Sequence, residues 1–158
     1  MDKGHDYFMR RAIGLAKEGM NSNAGGPFGA VIVKNGEIIA EGFNRVISTN
    51  DPTAHAEMIA IREACKKLNT FQLNDCEMYT SCEPCPMCMG AIYWARFKKV
   101  FFACNREDAA RIGFDDRLIY DEIAASLNER QIEFIDMLRE EATLVFEEWE
   151  KKTDATKY

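Results

Sequence analysis

No apolar run in the chain approaches the roughly 18 residues that a membrane-spanning helix needs. The opening Met-Asp-Lys-Gly-His-Asp-Tyr-Phe-Met-Arg-Arg has no apolar core of the kind a secretory signal carries. A cytoplasmic protein with no membrane partner is therefore expected, and the six cysteines are expected as thiols or metal ligands rather than disulfides. Repeats, low-complexity tracts and Pro- or Ser-rich linkers are also missing, with only four prolines in 158 residues. Residues 1–158 therefore read as one domain, and a chain of this length buries enough surface to need no staples. A surplus of positive charge is absent too. The net charge is −6, and residues 129–154 carry nine acids against four bases, which leaves the remainder close to neutral. Such a balance is no footprint for a polyanion, so nucleic acid is not the expected partner; a small neutral or cationic molecule fits better.

What is present reads as alternating helix and strand. Phe8, Ala12, Leu15 and Gly19 recur at helical spacing. A Gly/Asn-rich loop follows over 21–29, and then two β-type runs at 29–34 and 37–42 flank Asn35-Gly36, a strong hairpin signal. Asp51-Pro52-Thr53 supplies helix-start chemistry for a helix over 54–68. Residues 76–81 read as a strand, and Pro86 opens a helix to about residue 96. Residues 100–104 read as a buried strand in a covered, parallel position. Residues 115–127 read as a loop and short helix, 131–137 as a last strand, and 140–151 as a final helix. The order predicts an α/β fold, a three-layer α/β/α sandwich around a mixed sheet of about five strands.

Two fragments carry chemistry: His55-Ala56-Glu57 and Pro84-Cys85-Pro86-Met87-Cys88. Each falls at the predicted first turn of a helix. Cys85 and Cys88, three apart, lie on one helical face and can chelate one ion, and His55 completes a three-ligand set that leaves the fourth zinc position open. Helix N-termini favour thiolate over thiol. Glu57 falls beside the metal rather than on it, where a carboxylate can take a proton from activated water and return it to a leaving nitrogen. Each fragment alone has a plainer reading. A lone Cys-x-x-Cys serves redox chemistry, and Cys82 could close a four-ligand structural zinc site, although that would leave Glu57 without a task.

The combination His-x-Glu with Pro-Cys-x-x-Cys resembles the cytidine-deaminase-like superfamily of zinc deaminases. Within it the chain is similar to the small bacterial guanine deaminases across nearly its whole length. The matching stretches are Gly-Gly-Pro-Phe-Gly-Ala-Val-Ile-Val at 25–33, Asn-Asp-Pro-Thr-Ala-His-Ala-Glu at 50–57 and Tyr-Thr-Ser-Cys-Glu-Pro-Cys-Pro-Met-Cys at 79–88. Gly-Ala-Ile-Tyr-Trp-Ala-Arg at 90–96, Gly-Phe-Asp-Asp at 113–116 and the terminal Tyr158 narrow the match to guanine. The resemblance implies one zinc ion per subunit on His55, Cys85 and Cys88, with Glu57 as the proton shuttle. It places Asn44 against the purine ring, Phe28 and Trp94 beside the base, Asp116 on the guanine edge and Ala56 in the same pocket. It also implies a homodimer in which a C-terminal segment, residues 129–158, is swapped so that Tyr158 reaches the partner's site. The reaction implied is hydrolysis of guanine to xanthine and ammonia, and a carboxylate at Asp116 suits guanine's ring N–H and amino donors.

Other roles stay open for these residues. Asn44 could simply end the hairpin, Phe28 and Trp94 could be core, and Asp116 could cap the next helix. Cys65, Cys76 and Cys104 are expected as buried thiols, Cys82 as loop packing, and His5 as a solvated residue at a frayed end. Rival functions are deamination of guanosine, of a triazine guanine mimic, of cytosine or cytidine, or of adenosine in tRNA. A zinc module without enzymatic activity is the reading from a different class.

Overall fold

The computed structural model describes residues 4–158. They form two compact units, divided between Asp116 and Arg117. The first unit opens with α1 (His5–Asn21), whose Phe8, Ala12, Leu15, Ala16 and Gly19 are buried as the helical spacing predicts. β1 (Gly29–Lys34) and β2 (Glu37–Phe43) form the hairpin, with Asn35 and Gly36 both at positive φ, 51° and 76°, as a tight turn between twisted strands needs. A short α2 (Val46–Thr49), which the sequence reading lacks, precedes α3 (Ala56–Leu68). β3 (Glu77–Cys82), α4 (Pro86–Trp94), β4 (Lys99–Cys104) and α5 (Arg106–Arg111) complete the unit.

The sheet has four strands in the order β2-β1-β3-β4, antiparallel except for the parallel pair β3 and β4. Because side chains alternate along a strand, β1 and β3 feed two cores. Ala30, Ile32 and Met78 pack with Ala56, Ala60, Ala64, Leu73 and Ile92 on the side of α3 and α4. Val31, Val33 and Tyr79 pack with Phe8 and Leu15 on the side of α1. These are the three layers expected of the α/β/α sandwich.

Gly42 lets β2 approach α3 closely. A Cβ there would lie 2.4 Å from the Ala56 carbonyl oxygen and 2.9 Å from the Ala60 nitrogen, both backbone atoms. The first turn of α3 is thus seated directly on the hairpin. On the opposite edge, β4 is parallel to β3 as expected but is not covered in this chain: Phe102 is 50% exposed. Cys104 is exposed rather than buried, Cys65 is half-buried, and Cys76 is buried. His5 is no frayed residue. It opens α1 with Nδ1 2.6 Å from the hydroxyl of buried Tyr79 and its ring 4.6 Å from that of Phe101.

The second unit contains α6 (Arg117–Ala124), a 3₁₀ turn at Leu127–Glu129 capped reciprocally by Ser126 and Glu129, and α7 (Arg139–Lys151). Residues 131–137 are not a strand, which corrects the expected count of about five strands to four. Ile132, Phe134 and Ile135 do carry apolar β-type side chains, but they stand exposed, and a strand exists only where a neighbouring edge takes its backbone hydrogen bonds. No helix among the described residues is long and apolar enough to cross a membrane.

Candidate active site

Two helix starts meet under the carboxyl end of β3. His55 is the residue before α3 and Cys85 the residue before α4; each gives its carbonyl to the first helical hydrogen bond, at 3.0 Å from Ile59 and 2.8 Å from Met89. Neither side chain caps its helix, so imidazole and thiol are left to point at each other. Pro86 occupies the first turn of α4, where its missing N–H costs nothing, and Cys88 follows on the same face. The His55 nitrogen and the two sulfurs lie within 4.8 Å of one another, with Nδ1 3.5 Å from Cys85 Sγ and 3.6 Å from Cys88 Sγ.

The donor set fits zinc. One imidazole and two thiols are the soft, borderline ligands that zinc takes tetrahedrally, and three of them leave one position for water or substrate. The neighbouring Cys88 sulfur pulls the Cys85 thiol down to about 4, and His55 acts in the same direction; the thiol of Cys88 is pushed up in return. A metal would take both as thiolates. Cys82 does not join the group. It ends β3 with Sγ directed to the Asn105 carbonyl at 3.6 Å, and burial pushes its thiol up to about 12. Among the described residues no fourth His, Cys, Asp or Glu closes the set, so the four-ligand structural site is not formed.

Glu57, two residues into α3, is 5% exposed. Burial raises its carboxyl above the ordinary glutamate range, which suits a group that must both accept and return a proton. Its Oε2 accepts from the Cys88 thiol at 3.5 Å and its Oε1 from the Thr80 hydroxyl at 3.2 Å. Thr80 is a contact the sequence reading did not single out.

Around this centre the remaining candidates fall in different places. Asn44 is buried at the end of β2; its N–H donates to the Phe28 carbonyl at 3.0 Å and its Oδ1 accepts from Val46 at 3.1 Å. The second contact is the turn role that any hairpin-end asparagine can play, and it fixes which way the amide faces. Gly25 makes room for that amide: a Cβ there would lie 2.0 Å from Asn44 Oδ1. Phe28 packs partly against the α3/α4 core and meets Phe114 edge-on, centroids 4.9 Å apart. Phe114, also not singled out, is turned back by Gly113 (φ 98°) at the end of α5, and Asp116 follows two residues later. Desolvation raises the carboxyl of Asp116, and the charge of Cys85 acts in the same direction. Ala56 is fully buried between His55 and Glu57. Trp94 is no core residue: it ends α4 with 64% of its surface exposed. Tyr158, in the second unit, is exposed.

Comparison with known proteins agrees with this geometry. Residues 2–104 match the family model described as the cytidine and deoxycytidylate deaminase zinc-binding region. The chain is 56% identical over 154 residues to the guanine deaminase of Bacillus subtilis (strain 168), covering 98% of this chain and 99% of that protein. The X-ray structure of guanine deaminase from Bacillus subtilis superposes with a TM-score of 0.96 at 55% identity, covering 99% of both chains. A tRNA-specific adenosine deaminase of Aquifex aeolicus (strain VF5) is 48% identical over 100 residues, covering 63% of this chain and 66% of that protein.

Proposed function

The chain belongs to the cytidine and deoxycytidylate deaminase zinc-binding family, and from that premise we propose that it is a zinc-dependent guanine deaminase, converting guanine and water to xanthine and ammonia. The observation that carries the reading is the convergence of His55, Cys85 and Cys88 beside a buried Glu57. The choice of guanine is supported by the near end-to-end likeness to the Bacillus subtilis enzyme, which extends through the segment that follows Cys104.

His55, Cys85 and Cys88 would hold the metal. Zinc, when bound, supplies the Lewis acidity that lets water lose a proton at about pH 7. Glu57 accepts that proton and delivers it to the ring nitrogen next to carbon 2 of guanine. The water oxygen bonds to carbon 2 as that nitrogen is protonated; Glu57 then takes the remaining proton of this oxygen and passes it to the exocyclic nitrogen, whose bond to carbon 2 breaks, so that a carbonyl is left on carbon 2 and the amine departs as ammonia. In this reading Asp116 accepts from the ring N–H and amino donors of guanine, and adenine is disfavoured because it offers an acceptor where guanine donates. Asn44 holds the purine ring, with Phe28, Trp94 and the backbone at Ala56 lining the base.

The working assembly in this reading is a homodimer, with residues 129–158 crossing so that Tyr158 completes the partner's pocket. Large apolar side chains left exposed on the second unit support it, among them Phe134, Ile135, Leu144, Val145 and Phe146. The cytoplasm, where thiolate ligands stay reduced, is the compartment that suits the site. The test is ammonia release by the zinc-loaded protein from guanine, guanosine, a triazine guanine mimic, adenine, cytosine and a tRNA anticodon stem-loop. Guanine turning over well above the rest is the expected result. Faster release from the RNA would transfer the same chemistry to a tRNA substrate.

A further inference from the structure

Alternation along β3 puts Tyr79 on the α1 side of the sheet and Met78 and Thr80 on the side of α3 and α4. Thr80 is 1% exposed, so its hydroxyl must find its partners within the protein. It has two: Glu57 Oε1 at 3.2 Å and the Cys82 carbonyl oxygen at 3.1 Å. A hydroxyl has one proton to give, and when Glu57 is a carboxylate both neighbours only accept. The Cys88 thiol is the other side-chain donor to Glu57, and a cysteine that ligates a metal as thiolate has no proton left to donate. Among the described residues Thr80 then remains the side-chain donor to Glu57.

We propose that Thr80 is a positioning residue of the proton transfer. While Glu57 waits as a base, the Thr80 hydroxyl donates to Oε1 and aims the carboxylate. Once Glu57 holds the transferred proton on Oε2, the oxygen on the side of Cys88, Oε1 is a carbonyl oxygen that still accepts from the Thr80 hydroxyl, and the carboxyl keeps its aim. Both states of the shuttle are thereby hydrogen-bonded without movement of the backbone, and no covalent bond changes at Thr80. The inference rests on Glu57 acting as the proton carrier of the proposed reaction.

Thr80→Val keeps the shape and removes the hydroxyl, whereas Thr80→Ser keeps the hydroxyl. The expected result is a fall in kcat for guanine of about ten- to a hundredfold in Thr80→Val, with KM within about twofold and zinc content unchanged, while Thr80→Ser stays within about threefold of the parent. Infrared difference spectra against Glu57→Gln supply a readout apart from turnover: the Glu57 carboxyl band shifts in Thr80→Val and returns in Thr80→Ser. A Thr80→Val protein that keeps kcat, or a Thr80→Ser protein no better than Thr80→Val, overturns the proposal. Should Thr80→Val not fold, Thr80→Ala carries the same expectation. A parent protein that binds zinc yet leaves guanine untouched would undo the functional reading itself, whereas brisk parent turnover with an indifferent Thr80→Val removes only the role given to Thr80.

Discussion

Glu57 sits where water is scarce, and its chemistry follows from that. Burial raises its carboxyl above the ordinary glutamate range, the direction that favours taking up a proton over the same group in solvent. Glu57→Gln keeps the size and the contact to Thr80 but cannot carry a proton. It should lower kcat by at least about a hundredfold, general acid–base catalysis being worth about that much or more. Zinc content measured alongside steady-state ammonia release should stay at the parent value, because Glu57 is not among the three grouped donors. The donors themselves were legible in the sequence, since chelation by one helix turn demands cysteines three apart and the open fourth position demands few other ligands. Thr80 was not. A threonine inside a strand carries no chemical signal until the register with β1 and the seat of α3 are both known, which is what sets its hydroxyl beside Glu57. His5 is exposed as expected, but it is not frayed, and its partner Tyr79 could not be foreseen because it lies on a strand 74 residues away.

At the scale of elements, the site depends on how α3 is seated. Its first turn lies against β2 at Gly42, where an added Cβ would meet the Ala56 and Ala60 backbone, and neither atom can move without moving His55 and Glu57 with it. Gly42→Ala should therefore lower thermal stability, overpacking costing about 1–3 kcal/mol, and should also reduce zinc retention under a competing chelator. A loss of stability with zinc affinity untouched would show that the helix start is held elsewhere. The same hairpin is tied to α1 by Arg11, which donates to both oxygens of Glu41 at 2.7 and 2.6 Å. The guanidinium holds the Glu41 carboxyl below its ordinary value of 4.5. A carboxyl lowered in the folded state stabilises the fold fully above its unfolded value, and that contribution is lost as pH falls through the folded one. The drop in melting temperature between about pH 6 and about pH 3 should thus be smaller in Glu41→Gln than in the parent, although the pair is one-third exposed and the difference modest. The periodicities gave α1, α3, α4, α6, α7 and the hairpin correctly, because those signals are local, but not the short α2 and α5. They failed at residues 131–137 and at the burial of β4, where the outcome depends on a partner edge or a covering surface that no local pattern encodes.

At the scale of the whole molecule, charge and exposed apolar surface pull in different directions over the last 30 residues. Residues 129–154 are strongly acidic, which reads as a solvated tail, yet Ile135, Met137, Val145 and Phe146 within them are 72%, 74%, 62% and 76% exposed. Side chains of that size left in water are costly, and a second copy of the same chain is the cover a swapped segment would find. The proposed swap differs from an ordinary dimer in an outcome that co-expression can read. Take Glu57→Gln, which lacks the proposed proton carrier, and Tyr158→Ala, which in the proposed assembly lacks the residue given to the neighbour. Each alone should be nearly inactive. Co-expressed in equal amounts, they pair at random, and in each mixed dimer the subunit with Glu57 intact receives the intact Tyr158 of the other. If the tail acts in trans, activity should return to roughly a quarter of the parent, since half the dimers are mixed and each has one whole site. If each tail serves its own subunit, every site lacks either its proton carrier or its tyrosine, and co-expression should restore nothing.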